Sequence, residues 1–313
     1  MGSDHKSIDI RPLLQQTVCA AGCGKVADGL RIMVILQEPA EVAAWSAEQR
    51  RAGRTVGAVP TMGALHAGHL HLVERARAEC GAVVASIFVN PLQFNNPEDL
   101  RKYPRTLEQD TALLRGVGCN ALFAPTAEGI YRGHTPSNYA LGGLDAHWEG
   151  PSRPGHFQGV VNVVERLFHY MRPDRAYFGE KDRQQLTIIR HVAHSLRWPE
   201  QIVPVPTVRE ADGLAMSSRN QRLGPEDRAR AARLYQALRA VADRAFRVPV
   251  QEALQAGRQV LDADPTIRTD HLALARVDDL RPLEAWTGVD EAVVLVAAQV
   301  GPVRLIDNIT VHR

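Results

Sequence analysis

The chain has 313 residues, of which 45% are apolar and 23% charged, a composition that is normal for a globular protein and excludes a largely disordered one. Its 37 Lys and Arg against 35 Asp and Glu leave a formal charge of +2, so bulk electrostatics give no reason to expect nucleic acid or a membrane as a partner. No apolar run approaches the length of a membrane span, and residues 1–11 lack the apolar core of a secretory signal, so we expect a cytoplasmic protein.

The cysteines do not indicate a disulfide framework. Cys19, Cys23, Cys80 and Cys119 are too few and too scattered for one, and we expect reduced thiols. A metal role for Cys19 and Cys23 is the weaker alternative, because no second ligand pair lies near them in sequence.

Strands and helices alternate over the first two thirds of the chain. Residues 1–31 show weak periodicity, and we predict a flexible N-terminal extension. Beyond them, the pattern predicts strands at 32–36, 55–60, 82–89, 121–124, 175–178 and 201–208, and helices at 39–51, 68–79, 106–115 (capped by Thr106), 157–171 and 182–198. This alternation predicts a doubly wound, Rossmann-like parallel sheet over residues 32–208, with ligands at the carboxyl ends of its strands.

The pattern changes from residue 209 onwards. Helices are predicted at 225–245 and 250–262, a strand at 269–277, and a hairpin whose strands, 292–300 and 303–311, are separated by Gly301-Pro302. This order predicts a smaller α+β C-terminal lid domain over residues 209–313.

The segment most typical of a phosphate site joins a buried strand to a helix. It consists of Met62, Gly63, Ala64, Leu65, His66, Ala67, Gly68 and His69. A strand–helix junction aims unpaired backbone N–H groups and the positive end of the helix at an anion, and glycines allow that anion to come close. His66 and His69 can face the same side and stabilise the charge on an attacked α-phosphate. The alternative is that one histidine only caps or packs.

These residues also carry a family resemblance. His66-x-Gly68-His69 is similar to the signature of the nucleotidylyltransferase superfamily, which includes class I aminoacyl-tRNA synthetases, and the longer string from Pro60 to Leu70 resembles the narrower pantothenate synthetase family. The resemblance covers residues 32–224. It implies that segment 62–69 binds ATP, that pantoate and β-alanine are the other substrates, that Mg²⁺ bridges phosphate oxygens, and that the protein is a homodimer.

Asn90 and Gln93 follow the next strand, in a segment whose polar groups should project at the carboxyl edge of the sheet, and we expect both to bind substrate. The amide of Gln93 offers donors and an acceptor that suit a hydroxy acid bearing a carboxylate. The alternative is a loop amide bonded to nearby backbone. The resemblance implies that Gln93 contacts pantoate near the β-alanine site and that Gln185 contacts pantoate.

Another strand–helix junction contains Gly179, Glu180, Lys181 and Asp182. Lys181 supplies a point charge for phosphate oxygens, and Asp182 caps the helix or holds ribose hydroxyls. A solvated Lys–Asp pair is the alternative. The resemblance assigns this segment to ATP.

A third block precedes the C-terminal helices and includes Met216, Ser217, Ser218 and Arg219. Its hydroxyl and guanidinium donors suit a polyphosphate. It resembles the mobile Lys-Met-Ser-Lys-Ser loop of the synthetases and fits a lid that closes over ATP. The resemblance adds a backbone contact from Val208 to the adenine end, and an interdomain linker is the alternative.

Two further residues have open assignments. Arg153 meets a carboxylate or phosphate, or else lies in a surface loop. Asp110 is expected on a solvated helix face, and its alternative role is to help place Mg²⁺, although the neighbouring Gln109 weakens it as a direct ligand.

The resemblance implies two reactions in one site. The pantoate carboxylate attacks the α-phosphate of ATP to form pantoyl adenylate, with His66, His69 and Lys181 stabilising the charge and Ser217, Ser218 and Arg219 closing over the pyrophosphate. The amine of β-alanine then displaces AMP.

Three alternatives remain. The first is a nucleotidylyltransferase that acts on a phosphorylated acceptor. Such an acceptor would need cations, and Gln93 and Gln185 are neutral amides, which argues mildly against it. A tRNA-charging enzyme would need an anticodon-binding module, for which the remaining length leaves no room. A non-catalytic nucleotide sensor would not need His66, His69 and Lys181 together.

Overall fold

The computed structural model describes residues 33–313, and these form one compact unit. The extension predicted at 1–31, with Cys19 and Cys23, lies outside the described residues. Within the described range Cys80 and Cys119 are free thiols. None of the helices in that range combines the length and apolar character needed to cross a membrane.

Six parallel strands form the larger sheet, in the order β1-β4-β3-β2-β5-β6. They are β1 (Val34–Leu36), β2 (Val56–Thr61), β3 (Ala82–Ile87), β4 (Ala121–Phe123), β5 (Arg175–Gly179) and β6 (Gln201–Val205). The inner strands are apolar at nearly every position because helices cover both faces. The predicted doubly wound sheet is confirmed.

Eight α-helices within residues 33–313 accompany this sheet. They are α1 (Pro39–Arg51), α2 (Ala67–Glu79), α3 (Pro97–Lys102), α4 (Leu107–Gly116), α5 (Ala127–Tyr131), α6 (Glu149–Ser152), α7 (His156–Met171) and α8 (Arg183–Ser195). Helices α1, α7 and α8 pack on one face, where Val42, Val164 and Leu186 share a core, whereas α2 and α4 pack on the other through Val73 and Leu114.

Local sequence explains where several of these helices begin. Helix α1 has Pro39 at its first turn and a capping box formed by Glu38 and Glu41. Thr106 precedes α4 as predicted, but its hydroxyl donates to Asp110 (3.2 Å) and caps no backbone amide. Helices α3, α5 and α6 were not predicted, because four to six residues are too few to show a helical period.

The C-terminal part pairs two helices with an antiparallel sheet. Its elements are α9 (Pro225–Ala242), α10 (Val250–Asp262), β7 (Ile267–Ala275), β8 (Glu291–Val300) and β9 (Val303–His312), with β8 between β7 and β9. A separate core, which includes Leu234, Leu254 and Val294, holds the two helices on the sheet. The predicted α+β arrangement is confirmed, and a domain boundary at 208/209 stays a prediction.

The topology fixes where a ligand should bind. Strand β2 has β3 on one side and β5 on the other, so the chain order reverses between β2 and β5. Crevices at such switch points, outside the carboxyl ends of the strands, are the usual ligand sites of open α/β sheets. Segments 62–69 and 179–182 leave the sheet on either side of this point.

Candidate active site

A cleft of about 200 Å³ opens at the switch point and brings the three predicted blocks together. Its lining includes His66, His69, Lys181, Asp182, Ser217 and Arg219. A smaller cavity of about 110 Å³, bordered by Arg153 and His156, adjoins it, and both are lined by Met62, Gln93, Lys181, Asp182, Gln185 and Arg219. The three blocks, which are far apart in sequence, therefore line the same pair of adjoining cavities.

His66 and His69 form a close pair at the start of α2, with ring centroids 4.1 Å apart. The backbone N–H of Gly68 donates to Nδ1 of His66 (3.2 Å), so the proton of the neutral ring lies on Nε2. Nδ1 of His69 is buried and has no hydrogen-bond partner within residues 33–313. The pair thus offers imidazole N–H groups beside a helix N-terminus.

Both imidazoles are neutral at ordinary pH. Burial, assisted by the charge of Lys181, lowers the pKa of His66 from 6.5 to about 4. Burial, assisted by His66, lowers the pKa of His69 to about 3. Lys181 therefore supplies positive charge beside the pair, while the histidines act as neutral hydrogen-bond donors.

The turn between β2 and α2 does not offer the unpaired amides that the sequence led us to expect. The N–H of Gly63 donates to Oγ1 of Thr61 (3.1 Å), and those of Ala64 and Leu65 donate to the carboxylate of Asp110 (2.9 and 2.8 Å). That expectation is wrong for these three groups, as it is for Gly68. The anion site is built mainly from side chains, and the turn sets their positions.

Asp110 is buried, with 1% of its surface exposed, so the predicted solvated helix face is wrong. Gly63 and Ala64 both have positive φ (82° and 49°). The Asp110 carboxylate stabilises this unusual backbone by accepting hydrogen bonds from the N–H groups of Ala64 and Leu65. Both oxygens are engaged in this way, and this geometry does not support Asp110 as a direct Mg²⁺ ligand.

Lys181 lies in a 3₁₀ turn, Glu180–Asp182, that follows β5. Only 17% of its side chain is exposed, and Nζ lies 3.6 Å from the carboxylate of Asp182. Burial raises the pKa of Asp182, but Lys181, Arg219 and His69 outweigh it, so the pKa is lowered and the carboxylate is charged. Asp182 precedes α8, but its side chain caps no backbone amide of that helix, and half of the side chain is accessible (51%).

Gln93 is buried between the two cavities, and its Nε2 donates to Sδ of Met62 (2.9 Å). Asn90 is fully buried and lines neither cavity. It donates to Oε1 of Gln93 (3.2 Å) and to the carbonyl of Gly159 (3.0 Å), and it accepts from the hydroxyl of Tyr131 (2.8 Å). These bonds engage the amide of Asn90, which orients Gln93; a contact between Asn90 and substrate stays a prediction.

The third block forms another part of the wall of the larger cavity. Met216, Ser217, Ser218 and Arg219 line the larger cavity together with Val208, whose carbonyl accepts from the N–H of Met216 (3.0 Å). The hydroxyl of Ser218 donates to the carbonyl of Ala64 (2.9 Å), so this block contacts the 62–69 turn directly.

Arg153 lies in the wall of the smaller cavity. Its Nη1 donates to Nε2 of His156 (3.0 Å), and Nδ1–H of His156 donates to the carbonyl of Gln93 (2.7 Å). Burial, with the charge of Arg219, lowers the pKa of Arg153 to about 10, so the guanidinium stays charged at neutral pH. The side chain is half-buried and lines this cavity, although Ser152, Pro154 and Gly155 around it are exposed.

Three residues in or beside the site had no signal in the sequence analysis. His156 fixes Arg153, Gln184 bonds to the backbone around Glu149, and Asn308 on β9 bonds to the backbone of Glu180 and Lys181. Asn308 lies 127 residues from Lys181, and no local pattern could have linked the two.

A resident metal ion has no clear place in this site. Within residues 33–313 no group of three or more His, Cys, Asp and Glu side chains is arranged to hold one. Mg²⁺ is a hard cation that commonly enters such sites on the substrate's phosphates, and the donor set around the cleft fits only that mode.

The parallel sheet and the cleft at its switch point define a Rossmann-like nucleotide-binding enzyme. The family model for pantoate-beta-alanine ligase matches residues 34–310. The chain belongs to the pantoate-β-alanine ligase family.

Relatives support this assignment. The chain is 52% identical over 259 residues to a pantothenate synthetase of Thermus thermophilus, covering 82% of this chain and 93% of the relative. It is 50% identical over 279 residues to that of Cereibacter sphaeroides, covering 88% and 99%. A crystal structure of the Thermus thermophilus protein superposes with a TM-score of 0.83 at 50% identity, covering 88% of this chain and 99% of that one.

A pantoate-beta-alanine ligase from Francisella tularensis, described as complexed with beta-gamma ATP and beta-alanine, superposes with a TM-score of 0.73 at 32% identity. It covers 89% of this chain and 97% of that one.

Proposed function

We propose that this protein condenses pantoate with β-alanine at the expense of ATP, releasing AMP and pyrophosphate through a pantoyl-adenylate intermediate. The observation that carries the proposal is the convergence of His66, His69 and Lys181 on one cleft at the switch point of the sheet. Family membership and the relatives' names support the same reaction.

In the first reaction the pantoate carboxylate attacks the α-phosphate of ATP, an O–P bond forms, and pyrophosphate leaves. Charge builds on the phosphate oxygens, where Nε2–H of His66, His69 and the ammonium of Lys181 would donate. The neutral state of the two rings suits this step, since a neutral donor binds the oxygens without holding pyrophosphate or AMP as tightly as a cation.

Gln93 and Gln185 line both cavities, and we assign them to pantoate, whose hydroxyls and carboxylate need donors and acceptors. We assign the wall formed by segments 62–69 and 179–182 and the backbone of Val208 to ATP. Met216, Ser217, Ser218 and Arg219 face the same nucleotide from the third block. The hydroxyl of Ser217 and the guanidinium of Arg219 would hold the departing pyrophosphate, while the hydroxyl of Ser218 ties the block to the 62–69 turn.

In the second reaction the neutral amine of β-alanine attacks the acyl carbon of the mixed anhydride, and AMP leaves. The smaller cavity adjoins the larger one at Gln93 and Lys181, and its wall holds the guanidinium of Arg153. We infer that Arg153 binds the β-alanine carboxylate, because a partly buried guanidinium pairs well with a carboxylate. Arg153→Ala should raise the KM for β-alanine and leave adenylate formation nearly unchanged; equal losses in both steps would exclude this role.

Mg²⁺ is proposed to arrive on the phosphates of ATP and to neutralise their charge, with Asp110 acting only indirectly through the turn. We also propose a homodimer in the cytoplasm, as the resemblance implies. Sedimentation of the purified chain tests the dimer.

Pantoate-dependent exchange of pyrophosphate into ATP tests the proposal, followed by AMP release when β-alanine is added. A nucleotidylyltransferase for a phosphorylated acceptor would show no exchange with pantoate, and a tRNA-charging enzyme would require an amino acid. A nucleotide sensor would bind ATP without exchange. Absence of exchange with a folded protein, ATP, Mg²⁺ and pantoate would refute the proposed function.

A further inference from the structure

A residue of the C-terminal sheet contacts the backbone that carries Lys181. Asn308 lies on β9, is 6% exposed, and donates from Nδ2 to the carbonyls of Glu180 and Lys181, both at 2.9 Å. A primary amide nitrogen has two hydrogens, so both are used on this one 3₁₀ turn.

Asn308 is itself fixed on both sides of its backbone. Its N–H donates to Oδ1 of Asp307 (2.7 Å), and its carbonyl accepts from Nη2 of Arg209 (3.0 Å). Arg209 also forms a two-pronged pair with the buried carboxylate of Asp307 (2.6 and 3.1 Å). Because these bonds restrict the backbone of Asn308, its side-chain amide can hold the turn at Glu180–Asp182 in place.

The turn that carries Lys181 needs such support. It has three residues in a 3₁₀ conformation, whose hydrogen bonds are weaker than those of an α-helix. The lysine side chain is long and flexible, so the position of its backbone limits where the ammonium can lie. A shift of this turn would move the ammonium relative to the imidazole pair.

We propose that Asn308 is a positioning residue for Lys181. By bonding both carbonyls, it fixes the turn so that the ammonium meets the phosphate in the transition state. This inference rests on the proposed function, which assigns Lys181 to the α-phosphate.

A double-mutant cycle tests the inference, with Asn308→Ala made in the wild-type chain and in Lys181→Ala. Pantoate-dependent exchange and the melting temperature are measured for each. In the wild-type chain we expect kcat to fall about 10- to 100-fold, as for a misplaced catalytic group, with a much smaller change in the KM for ATP. In the Lys181→Ala chain, Asn308→Ala should lower kcat by less than about 2-fold, because the ammonium that Asn308 positions is absent.

Gln299→Ala is the matched control. Gln299 lies on β8 of the same sheet, and its side-chain amide likewise donates to a backbone carbonyl, that of Gly301 (2.9 Å), away from the cleft. We expect exchange by this variant to equal wild type. If Asn308→Ala does not fold, Asn308→Ser, which keeps one donor, replaces it in the cycle, with a smaller loss and the same dependence on Lys181.

An equal factor in both backgrounds would overturn the inference and leave Asn308 with a structural role. Absence of pantoate-dependent exchange by the folded wild-type chain would instead refute the proposed function, and full exchange by Lys181→Ala would refute only the role of Lys181. The two failures are therefore distinguishable.

Discussion

Gly68→Ala should separate the stability of the protein from the geometry of its imidazole pair. A Cβ at this position would lie 2.9 Å from Cε1 and 3.0 Å from Nδ1 of His66, where carbon contacts are ordinarily about 3.5–4.0 Å. The ring must therefore retreat by roughly 0.5–1 Å. A misplacement of about 1 Å can cost about 10²-fold in rate, or about 2.7 kcal/mol of transition-state stabilisation.

Although Gly68→Ala should slow the reaction, its free energy of unfolding should rise or stay the same. Alanine is favoured over glycine within a helix by about 0.5–1 kcal/mol, and Gly68 lies in the first turn of α2. Gly116→Ala is the matched control, because Gly116 is also helical and its added Cβ meets nothing within 4 Å.

Both variants would be assayed by pantoate-dependent ATP–pyrophosphate exchange and by urea denaturation. We expect exchange to fall about 10- to 100-fold in Gly68→Ala and to stay at the wild-type rate in Gly116→Ala. A folded Gly68→Ala enzyme with wild-type exchange would refute the assignment of His66 to the reaction.

Three further predictions concern the same site. His69→Ala should leave the circular dichroism spectrum intact and slow exchange about 100-fold or more, as for removal of one preorganised donor; unchanged turnover would remove His69 from the mechanism. Because burial lowers the folded-state pKa of His69 to about 3, below 6.5 in the unfolded chain, the unfolded state binds more protons as the pH falls from 6.5 towards 3. The stability that the neutral ring contributes is complete above pH 6.5 and is lost on acidification, so His69→Gln should lose less free energy of unfolding between pH 7 and pH 5 than wild type; an equal loss would contradict the shift. Asp110→Asn should lower the free energy of unfolding by about 1–3 kcal/mol, since two buried N–H groups lose a carboxylate, whereas Glu108→Gln on the exposed side of α4 should change it little; equal values would contradict the structural role of Asp110.

The sequence predicted the sheet and the location of the site well because both depend on short-range patterns. Apolar strands that alternate with helices dictate a parallel sheet, and the carboxyl ends of such strands share one edge. His66, His69 and Lys181 each lie where a strand of this sheet leads into a helix, so their convergence followed from topology.

The rest of the site depends on long-range contacts that no local pattern shows. In the sequence Asp110 looks like any polar residue of an amphipathic helix. Its carboxylate nevertheless accepts hydrogen bonds from the turn 45 residues earlier, from amides that we had expected to face phosphate. Asn90 lies in a polar loop, but it is buried and its amide makes four hydrogen bonds, one of them to Gln93. Asn308 lies in a strand of a different sheet.

A crystal structure with pantoate and an ATP analogue that cannot be cleaved between the α- and β-phosphates would test the central claim most directly. We expect Nε2 of His66, a ring nitrogen of His69 and Nζ of Lys181 each to lie within about 3.2 Å of an α-phosphate oxygen or of the pantoate oxygen in line with that phosphorus. An analogue bound with its α-phosphate out of reach of both imidazoles would contradict the mechanism proposed for this cleft.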